Sequence, residues 1–206
     1  LFERELVPHL DRWEAEGIVD RAFWLRCGEA GLLCPQVPED YGGLGLDYGF
    51  IAVVNEELNY AGSSAGLNLH TDIACDYILD YGDEALKRAW LPKMVTGEAI
   101  AAIAMTEPGA GSDLKGIRTS ARRDGDHYVV NGQKTYITNG QNADFVIVVA
   151  KTDPDAGAKG ISLIIIEADR PGFTKGRNLD KIGQHSADTS ELFFSDVRVP
   201  VSNCIG

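Results

Sequence analysis

The first half of the chain, residues 1–99, carries apolar residues at the three- and four-residue spacing of amphipathic helices. Asp20 and Asp83 are good N-cap residues for the second and fifth of these helices, and Gly97 should end the fifth. Pro8 should kink or start the first helix. The residues that outline the five predicted helices are Leu6, Leu10 and Trp13; Phe23, Cys27 and Ala30; Phe50, Val54, Glu57, Leu58 and Ala61; Ile73, Tyr77 and Ile78; and Leu86, Trp90 and Met94.

The second half changes to the patterns of strands. Asp124-Gly125 and Asn131-Gly132 are tight-turn signals, because both dipeptides tolerate the positive φ of a type I′ turn. They predict a three-strand meander, and the continuous β-branched and aromatic runs after it predict strands that are buried on both faces. The predicted strands are 100–105, 118–123, 126–130, 133–138, 145–149, 161–166 and 191–199.

Helices followed by strands, segregated along the sequence, indicate an α+β protein with two modules. We expect an N-terminal all-helical domain over residues 1–99 and a mostly antiparallel β domain over residues 100–206. The charge changes at the same point, since residues 1–99 carry 7 basic and 18 acidic side chains, whereas residues 100–206 carry 12 and 13. The strand–helix alternation of a doubly wound parallel sheet is missing.

Composition excludes several classes of function. The net charge of −12 argues against a nucleic-acid partner, because no basic surface would offset phosphate repulsion. No apolar run approaches the ~18 residues of a membrane span. The scattered cysteines and histidines form no metal-ligand spacing, and we expect a reduced, intracellular protein without a structural metal. These residues are Cys27, Cys34, Cys75 and Cys204, and His9, His70, His127 and His185.

Two familiar motifs fit only in part. Residues 62–66 match the serine-hydrolase pattern G-x-S-x-G, but a helix, and not a buried strand, is predicted before Ser64. We therefore interpret this segment as a helix-breaking turn. Residues 111–116 space their glycines as in a P-loop, but Ile117 stands where the lysine is required, so hydrolysis of a nucleoside triphosphate has no support.

Two stretches carry candidate binding chemistry. In residues 104–113, an apolar strand leads into a loop whose glycines can aim backbone N–H groups at an anion, with Thr106 and Ser112 adding hydroxyls. In residues 132–140, Tyr136 and Thr138 lie two apart on one strand and face the same way, so together they can stack on and bond to a flat polar cofactor. A tight surface turn and an ordinary cross-strand aromatic are the simpler interpretations of the same residues.

Five segments together resemble the acyl-CoA dehydrogenase family. They occur in the family's order, and they cover nearly the whole chain. Each is weak by itself, but five in register are very specific. The segments are 37–43, 81–92, 105–113, 134–140 and 183–200, which begins G-Q-H-S-A-D-T.

The resemblance implies that this chain holds an N-terminal helical domain and a middle β-barrel domain, and that the family's C-terminal four-helix domain lies outside it. In the family, that last domain supplies the glutamate that removes the α-proton of the acyl thioester. We therefore assign no catalytic base within residues 1–206.

The resemblance also implies FAD as cofactor and a set of residues that face it. Thr106 would bond the pyrimidine edge of the flavin, and Tyr136, where many members have Trp, would lie against one face of its ring. Thr138 would bond near N5. Ser112 would meet the FAD pyrophosphate and border the CoA arm of the substrate, whereas His185 lies where relatives often carry Arg or Lys. The implied cofactor-binding residues are Ile103, Met105, Thr106, Gly111, Ser112, Tyr136, Ile137 and Thr138.

The implied reaction converts an acyl-CoA to a trans-2-enoyl-CoA, with a hydride passing to the flavin and electrons then passing to an electron-transfer flavoprotein. The resemblance implies a homo-oligomer, a tetramer or a dimer, in the cytoplasm of a bacterium or the mitochondrial matrix of a eukaryote. Residues 184–194 look most like the long-chain branch. An acyl-CoA oxidase or a flavin monooxygenase of similar fold, and a non-catalytic binding scaffold, remain as alternatives.

Overall fold

The computed structural model describes residues 1–206 and divides into two compact units. The helical unit consists of Leu1–Ala101 together with Asp180–Asp188. The sheet unit consists of Ala102–Leu179 together with Thr189–Gly206. The nine residues from Asp180 to Asp188 therefore belong to the helical unit, although strands of the sheet unit come before and after them.

The helical unit contains the predicted helices, with the first divided in two. Pro8 lies in a 3₁₀ turn, Val7–His9, that separates the first two short helices, as its missing N–H and fixed φ predict. No helix in the structure combines the length and apolar character that crossing a lipid bilayer requires. The helices are α1 (Phe2–Glu5), α2 (Leu10–Glu16), α3 (Arg21–Glu29), α4 (Tyr48–Tyr60), α5 (Cys75–Tyr81) and α6 (Glu84–Thr96).

The ends of α6 follow the local signals, whereas the start of α3 does not. The Asp83 carboxylate accepts a hydrogen bond from the backbone N–H of Leu86 at 2.8 Å, and Gly97 ends the helix in the left-handed conformation at φ 77°. Asp20 occupies the N-cap position of α3 but makes no capping hydrogen bond. Its carboxylate instead pairs with the Arg12 guanidinium, which is a stronger, charge-assisted partner.

A π-helical turn, Leu69–Ala74, runs directly into α5, and this element is absent from the predicted pattern. His70 lies in it with its side chain fully buried. Its Nδ1 accepts from the Ala101 backbone N–H at 3.1 Å, and its Nε2 lies 3.1 Å from the Met94 carbonyl oxygen. The ring thereby ties the end of α6 to the first residue of the following strand.

The sheet unit is built on one eight-stranded sheet. Its strands are β1 (Ala101–Ala104), β2 (Ser120–Asp124), β3 (His127–Thr138), β4 (Phe145–Lys151), β5 (Ile161–Glu167), β6 (Phe173–Asn178), β7 (Thr189–Pro200) and β8 (Cys204–Ile205). The order is β6-β7-β3-β2-β4-β5-β8, with β1 paired to β4. The pairings β2–β3, β3–β7, β4–β5, β5–β8 and β6–β7 are antiparallel, and β2 with β4 is parallel.

The mostly antiparallel sheet is confirmed, but the closed β-barrel is not. The outer strands β6 and β8 are not paired with each other, so the sheet remains open. The two runs predicted to be buried on both faces lie on the adjacent antiparallel strands β4 and β5, with Val148 opposite Ile164. β4 is buried along nearly its whole length, whereas the first three residues of β5 are only partly buried. Neither β6, whose sequence is largely polar, nor the two-residue β8 is among the predicted strands.

The turn predicted at Asn131-Gly132 is wrong, because β3 runs continuously through it. The Asn131 side chain exchanges two hydrogen bonds with Asp196 of β7, at 3.0 and 2.9 Å, where the pairing of the strands is irregular. Gly132 has φ 151°, and a Cβ added there would lie 2.7 Å from the Cα of Thr119. Asn131 and Gly132 therefore lie at a β-bulge, and Gly132 allows the backbone of β3 to approach Thr119 closely. The hairpin predicted at Asp124-Gly125 is confirmed, since β2 pairs with β3 there, but the type I′ turn on these two residues is not. Asp124 pairs with His127, so the two loop residues are Gly125, at φ 65°, and Asp126.

Candidate functional site

The first candidate segment is the loop that follows β1. It folds back on itself through two backbone hydrogen bonds between Glu107 and Ala110, at 2.9 and 3.1 Å. Gly109 and Gly111 lie in open space, with nothing within 4 Å of an added Cβ. Ser112 is exposed. The tip of the loop therefore presents backbone groups and one hydroxyl without side-chain cover.

The second segment is the end of β3. Tyr136 has φ 59°, a left-handed conformation that costs a bulky residue about 1–2 kcal/mol, and its side chain is 71% exposed. It lies at an irregularity in the pairing with β7, between Lys134 and Ile137. Ile137 is buried at 2% exposure, whereas Thr138 is partly exposed. Tyr136 and Thr138 are therefore both accessible, whereas Ile137 is buried, and the irregular backbone at Tyr136 interrupts the regular alternation of the strand.

Direct hydrogen bonds bring the two segments together. The Thr135 backbone N–H donates to the Thr106 carbonyl oxygen at 2.9 Å, and the Thr106 hydroxyl donates back to the Thr135 carbonyl oxygen. Met105 and Thr106, both partly exposed, therefore lie beside the strand that carries Tyr136. Ile103 is 8% exposed and belongs to the core behind them. Gly111 and Ser112 lie farther along the loop, in its exposed part.

A buried ion pair lies beneath this junction, and no motif points to it. The Lys134 ammonium lies 2.9 Å from Glu107 Oε1, with the two side chains 0% and 5% exposed. The same ammonium donates to the Met105 carbonyl oxygen at 2.9 Å. The Glu107 carboxylate also accepts from the backbone N–H groups of Arg118, at 2.6 Å, and Thr119, at 3.0 Å.

Hydrogen bonds favour the charged form of Glu107, whereas burial works against the charged form of Lys134. Burial alone raises the pKa of Glu107, but the hydrogen bonds from Thr119, Arg118 and Lys134 outweigh it and hold that pKa below its ordinary value. Burial lowers the pKa of Lys134, and the contact with Glu107 opposes this shift. The only signal in the sequence is that each residue lies within one of the two candidate segments, since a charged pair 27 positions apart leaves no local pattern.

A cavity of about 580 Å³ adjoins the loop on its Pro108 side. Its lining does not include Tyr136 or Thr138, so the cavity and the exposed ring are separate surfaces of the sheet unit. The cavity is lined by Glu107, Pro108, Gly109, Gly116, Arg118, Thr119, Gly132, Gln133, Phe193, Phe194 and Ser195.

The helical unit holds the rejected hydrolase motif. Residues 62–66 follow the end of α4, as the prediction of a helix-breaking turn requires. The Ser64 hydroxyl donates to Gln184 Oε1 at 2.6 Å, and Ser63 Oγ lies 2.8 Å from Ser186 Oγ. These two serines therefore fasten the Asp180–Asp188 segment to the turn. His185, which lies in this segment, donates its backbone N–H to Glu14.

Family models match nearly the whole chain. The model described as acyl-CoA dehydrogenase, N-terminal domain, matches residues 1–98, and the model described as acyl-CoA dehydrogenase, middle domain, matches residues 102–197. A curated relative, the mitochondrial long-chain specific acyl-CoA dehydrogenase of Sus scrofa, is 48% identical over 208 residues, which cover 100% of this chain and 48% of the relative.

Solved structures agree with these matches. The crystal structure of an acyl-CoA dehydrogenase from Geobacillus kaustophilus superposes with a TM-score of 0.97 at 56% identity, covering 100% of this chain and 55% of that one. A glutaryl-CoA dehydrogenase from Mycobacterium smegmatis in complex with FADH2 superposes with a TM-score of 0.89 at 32% identity, covering 98% of this chain and 51% of that one.

The chain thus spans about half the length of the relatives that it matches. Its five quoted segments, its helical and sheet units and both family models agree. The chain belongs to the acyl-CoA dehydrogenase family.

Proposed function

We propose that this chain forms the N-terminal domain, residues 1–99, and the flavin-binding middle domain, residues 100–206, of an FAD-dependent acyl-CoA dehydrogenase. The observation that supports this most is the pair of hydrogen bonds between Thr106 and Thr135, because it sets the loop after β1 beside the exposed ring of Tyr136. The FADH2 complex of the glutaryl-CoA dehydrogenase relative supports the choice of cofactor.

The residues present fit a flavin with a phosphate tail. Tyr136 offers an accessible aromatic face on a strained backbone, and such strain recurs where a ligand is bound. Thr138 offers a partly exposed hydroxyl beside it. At the tip of the loop, Gly111 and Ser112 offer open backbone and a hydroxyl to a pyrophosphate.

The Thr106 hydroxyl can act only as a hydrogen-bond acceptor toward such a ligand. Its single hydrogen is donated to the Thr135 carbonyl oxygen, so only its lone pairs are left for another partner. Thr106 would therefore accept a hydrogen bond from the N–H of the flavin pyrimidine edge. The buried side chains of Ile103 and Ile137 would exclude water behind the ring without touching its polar edges.

Bound FAD supplies the electron acceptor that no side chain of this chain can provide. The protein's own share is to bind the flavin, orient it and exclude water. We place the catalytic base outside residues 1–206, and we assign acyl-CoA as substrate, with Ser112 bordering its CoA arm. An electron-transfer flavoprotein would take the electrons, and the whole protein would assemble as a homo-oligomer. The long-chain branch is the one we favour, in agreement with the pig relative.

Anaerobic mixing of the full-length, FAD-loaded protein with acyl-CoAs of graded chain length tests this function. We expect loss of the yellow flavin absorbance, fastest with long-chain substrates, and slow reaction of the reduced protein with oxygen. Fast reoxidation by oxygen would indicate an oxidase or a monooxygenase instead. Persistent yellow colour with every acyl-CoA would indicate a non-catalytic scaffold.

A further inference from the structure

We propose that Glu107 and Lys134 are positioning residues for the flavin, acting through the backbone of Met105 and Thr106 without touching the cofactor. The proposal rests on the proposed function, since it assigns these residues a role at the same site. Both side chains are almost completely buried, so neither reaches a ligand on the surface of the loop.

The geometry connects the ion pair to both halves of the site. Lys134 precedes Tyr136 by two residues on β3, and its ammonium donates at 2.9 Å to the carbonyl oxygen of Met105 in the loop. The next residue, Thr106, is held to Thr135 by its backbone and its hydroxyl. Three consecutive loop residues, from Met105 to Glu107, are therefore fixed to two neighbouring residues of the strand.

Glu107 extends the same connection to a third segment. Its carboxylate accepts from the backbone N–H groups of Arg118 and Thr119, directly before β2, while its backbone closes the loop onto Ala110. Glu107 thus fixes how the loop folds back through its backbone, and where the loop lies against the segment before β2 through its carboxylate. Gly111 and Ser112 follow directly from that anchored turn.

Fold stability alone is a poor explanation for this pair. Taking two charges out of water costs about as much as their attraction returns, and uncharged replacements of similar shape are often neutral or stabilising. The third bond, from Lys134 to the Met105 carbonyl oxygen, is the one that an uncharged replacement of the pair would not restore. That bond aligns the edge of the loop with the strand that carries Tyr136.

The test separates positioning from stability with two variants of the full-length protein, Lys134→Met and the double variant Lys134→Met/Glu107→Gln. Lys134→Met leaves the buried carboxylate without its counter-ion, so the apo-protein should unfold more easily. The double variant removes both charges and keeps the shape, and the glutamine amide keeps an oxygen acceptor for one of the two backbone N–H groups, that of Arg118 or that of Thr119. Its apo-protein should recover part of the thermal stability that the single variant loses.

FAD affinity should not recover with it. Titration of apo-protein with FAD, followed by flavin fluorescence, should show the double variant binding on the order of tenfold to a hundredfold more weakly than wild type, with a changed visible absorbance envelope. Lys159→Met, the same substitution at an exposed lysine of the sheet unit, is the matched control and should bind FAD as wild type does.

Wild-type FAD affinity and spectrum in the double variant would overturn the positioning role and leave the pair as a structural feature. If Lys134→Met does not fold, the FAD affinities of the double variant and of Glu107→Gln alone still decide whether the pair positions the flavin. A wild-type protein that binds no FAD would instead contradict the proposed function, so the two failures are distinguishable.

Discussion

The carboxylate of Glu14, on α2, accepts a hydrogen bond from the backbone N–H of Ser186 at 2.9 Å and another from its hydroxyl, joining residues 172 positions apart. The backbone N–H of His185 donates to the other carboxylate oxygen at 3.0 Å. One acidic side chain thus satisfies two consecutive amides of the Asp180–Asp188 segment. The segment has no helix or strand of its own, so its position depends on such side-chain bonds.

This arrangement predicts a specific acid sensitivity. Burial raises the pKa of Glu14, but the hydrogen bonds from Ser186 and His185 outweigh it and lower the folded-state pKa below the ordinary value. A carboxyl with a lowered folded pKa stabilises the protein above its unfolded pKa, about 4.3, and loses that contribution as the pH falls through the folded value. We therefore expect the wild-type melting temperature to fall as the pH decreases from about 4.3 through the folded-state pKa of Glu14.

Glu14→Gln should be less stable than wild type at pH 7 and should show a smaller fall in melting temperature below about pH 4. Glu16→Gln is the matched control, because it removes one carboxylate from the same helix and leaves the bonds from Ser186 and His185 to Glu14 in place. Thermal melts of all three proteins between about pH 3 and pH 7 measure the effect. Parallel profiles for wild type and Glu14→Gln would show that the carboxylate carries no pH-dependent stability.

Gly132→Ala tests the close approach of β3 to Thr119. A Cβ at this position would lie 2.7 Å from the Thr119 Cα and 2.4 Å from its Oγ1, so the strands must separate. We expect a loss of about 1–3 kcal/mol in the free energy of unfolding, in the range of overpacked cores. Denaturant titration measures it. Gly125→Ala, which has φ 65° but nothing within 4 Å, is the control for backbone strain alone and should lose less.

Ser112→Ala tests the phosphate end of the site. Removal of a hydrogen bond to a charged group costs about 1.5–3 kcal/mol, which corresponds to a roughly tenfold to hundredfold weaker affinity for FAD. Equilibrium titration of the full-length apo-protein gives this number. Ser202→Ala, at another exposed serine of the sheet unit, should bind FAD normally. Equal affinities for wild type and Ser112→Ala would remove Ser112 from the pyrophosphate site.

Where both ends of an element are set by nearby residues, the sequence predicts the structure well. The helix α6 shows this, because Asp83 and Gly97 act within a few residues of the ends that they define. Asn131-Gly132 shows the opposite. The dipeptide has the conformational freedom of a turn, but its partners Thr119 and Asp196 are distant in the sequence, and they decide that it forms a bulge.

Some features of the candidate site can likewise be predicted from the local sequence, and others cannot. Glycines, hydroxyls and one aromatic single out loop 104–113 and the end of β3 as candidates. A surface turn and a cross-strand aromatic explain the same residues, so only the family resemblance assigns them to a flavin. The hydrogen bonds between Thr106 and Thr135 depend on how the strands pair, and so does the burial of Lys134 against Glu107. Neither follows from a local pattern. The open edges of the sheet, where β6 and β8 remain unpaired with each other, likewise depend on the arrangement of all eight strands.

Replacing Tyr136 with glycine should change the stability of the apo-protein and the affinity for FAD in opposite directions. Glycine adopts φ 59° without a steric cost, so Tyr136→Gly should raise the stability of the apo-protein by as much as about 1 kcal/mol while it weakens FAD binding. Thermal melts without FAD and titrations with it separate the two. Tyr136→Trp keeps a ring and should retain most of the affinity. A variant that loses apo-stability together with affinity would show that the ring serves the fold and not the ligand.

The fluorescence of FAD bound to the full-length protein tests the central claim most directly, with Tyr136→Leu compared with wild type. An aromatic ring stacked on the flavin quenches its emission, so wild type should bind FAD with strong quenching, and the leucine variant should bind it more weakly with markedly brighter emission. Equal affinity and equal quenching in the two proteins would contradict the placement of the flavin against Tyr136.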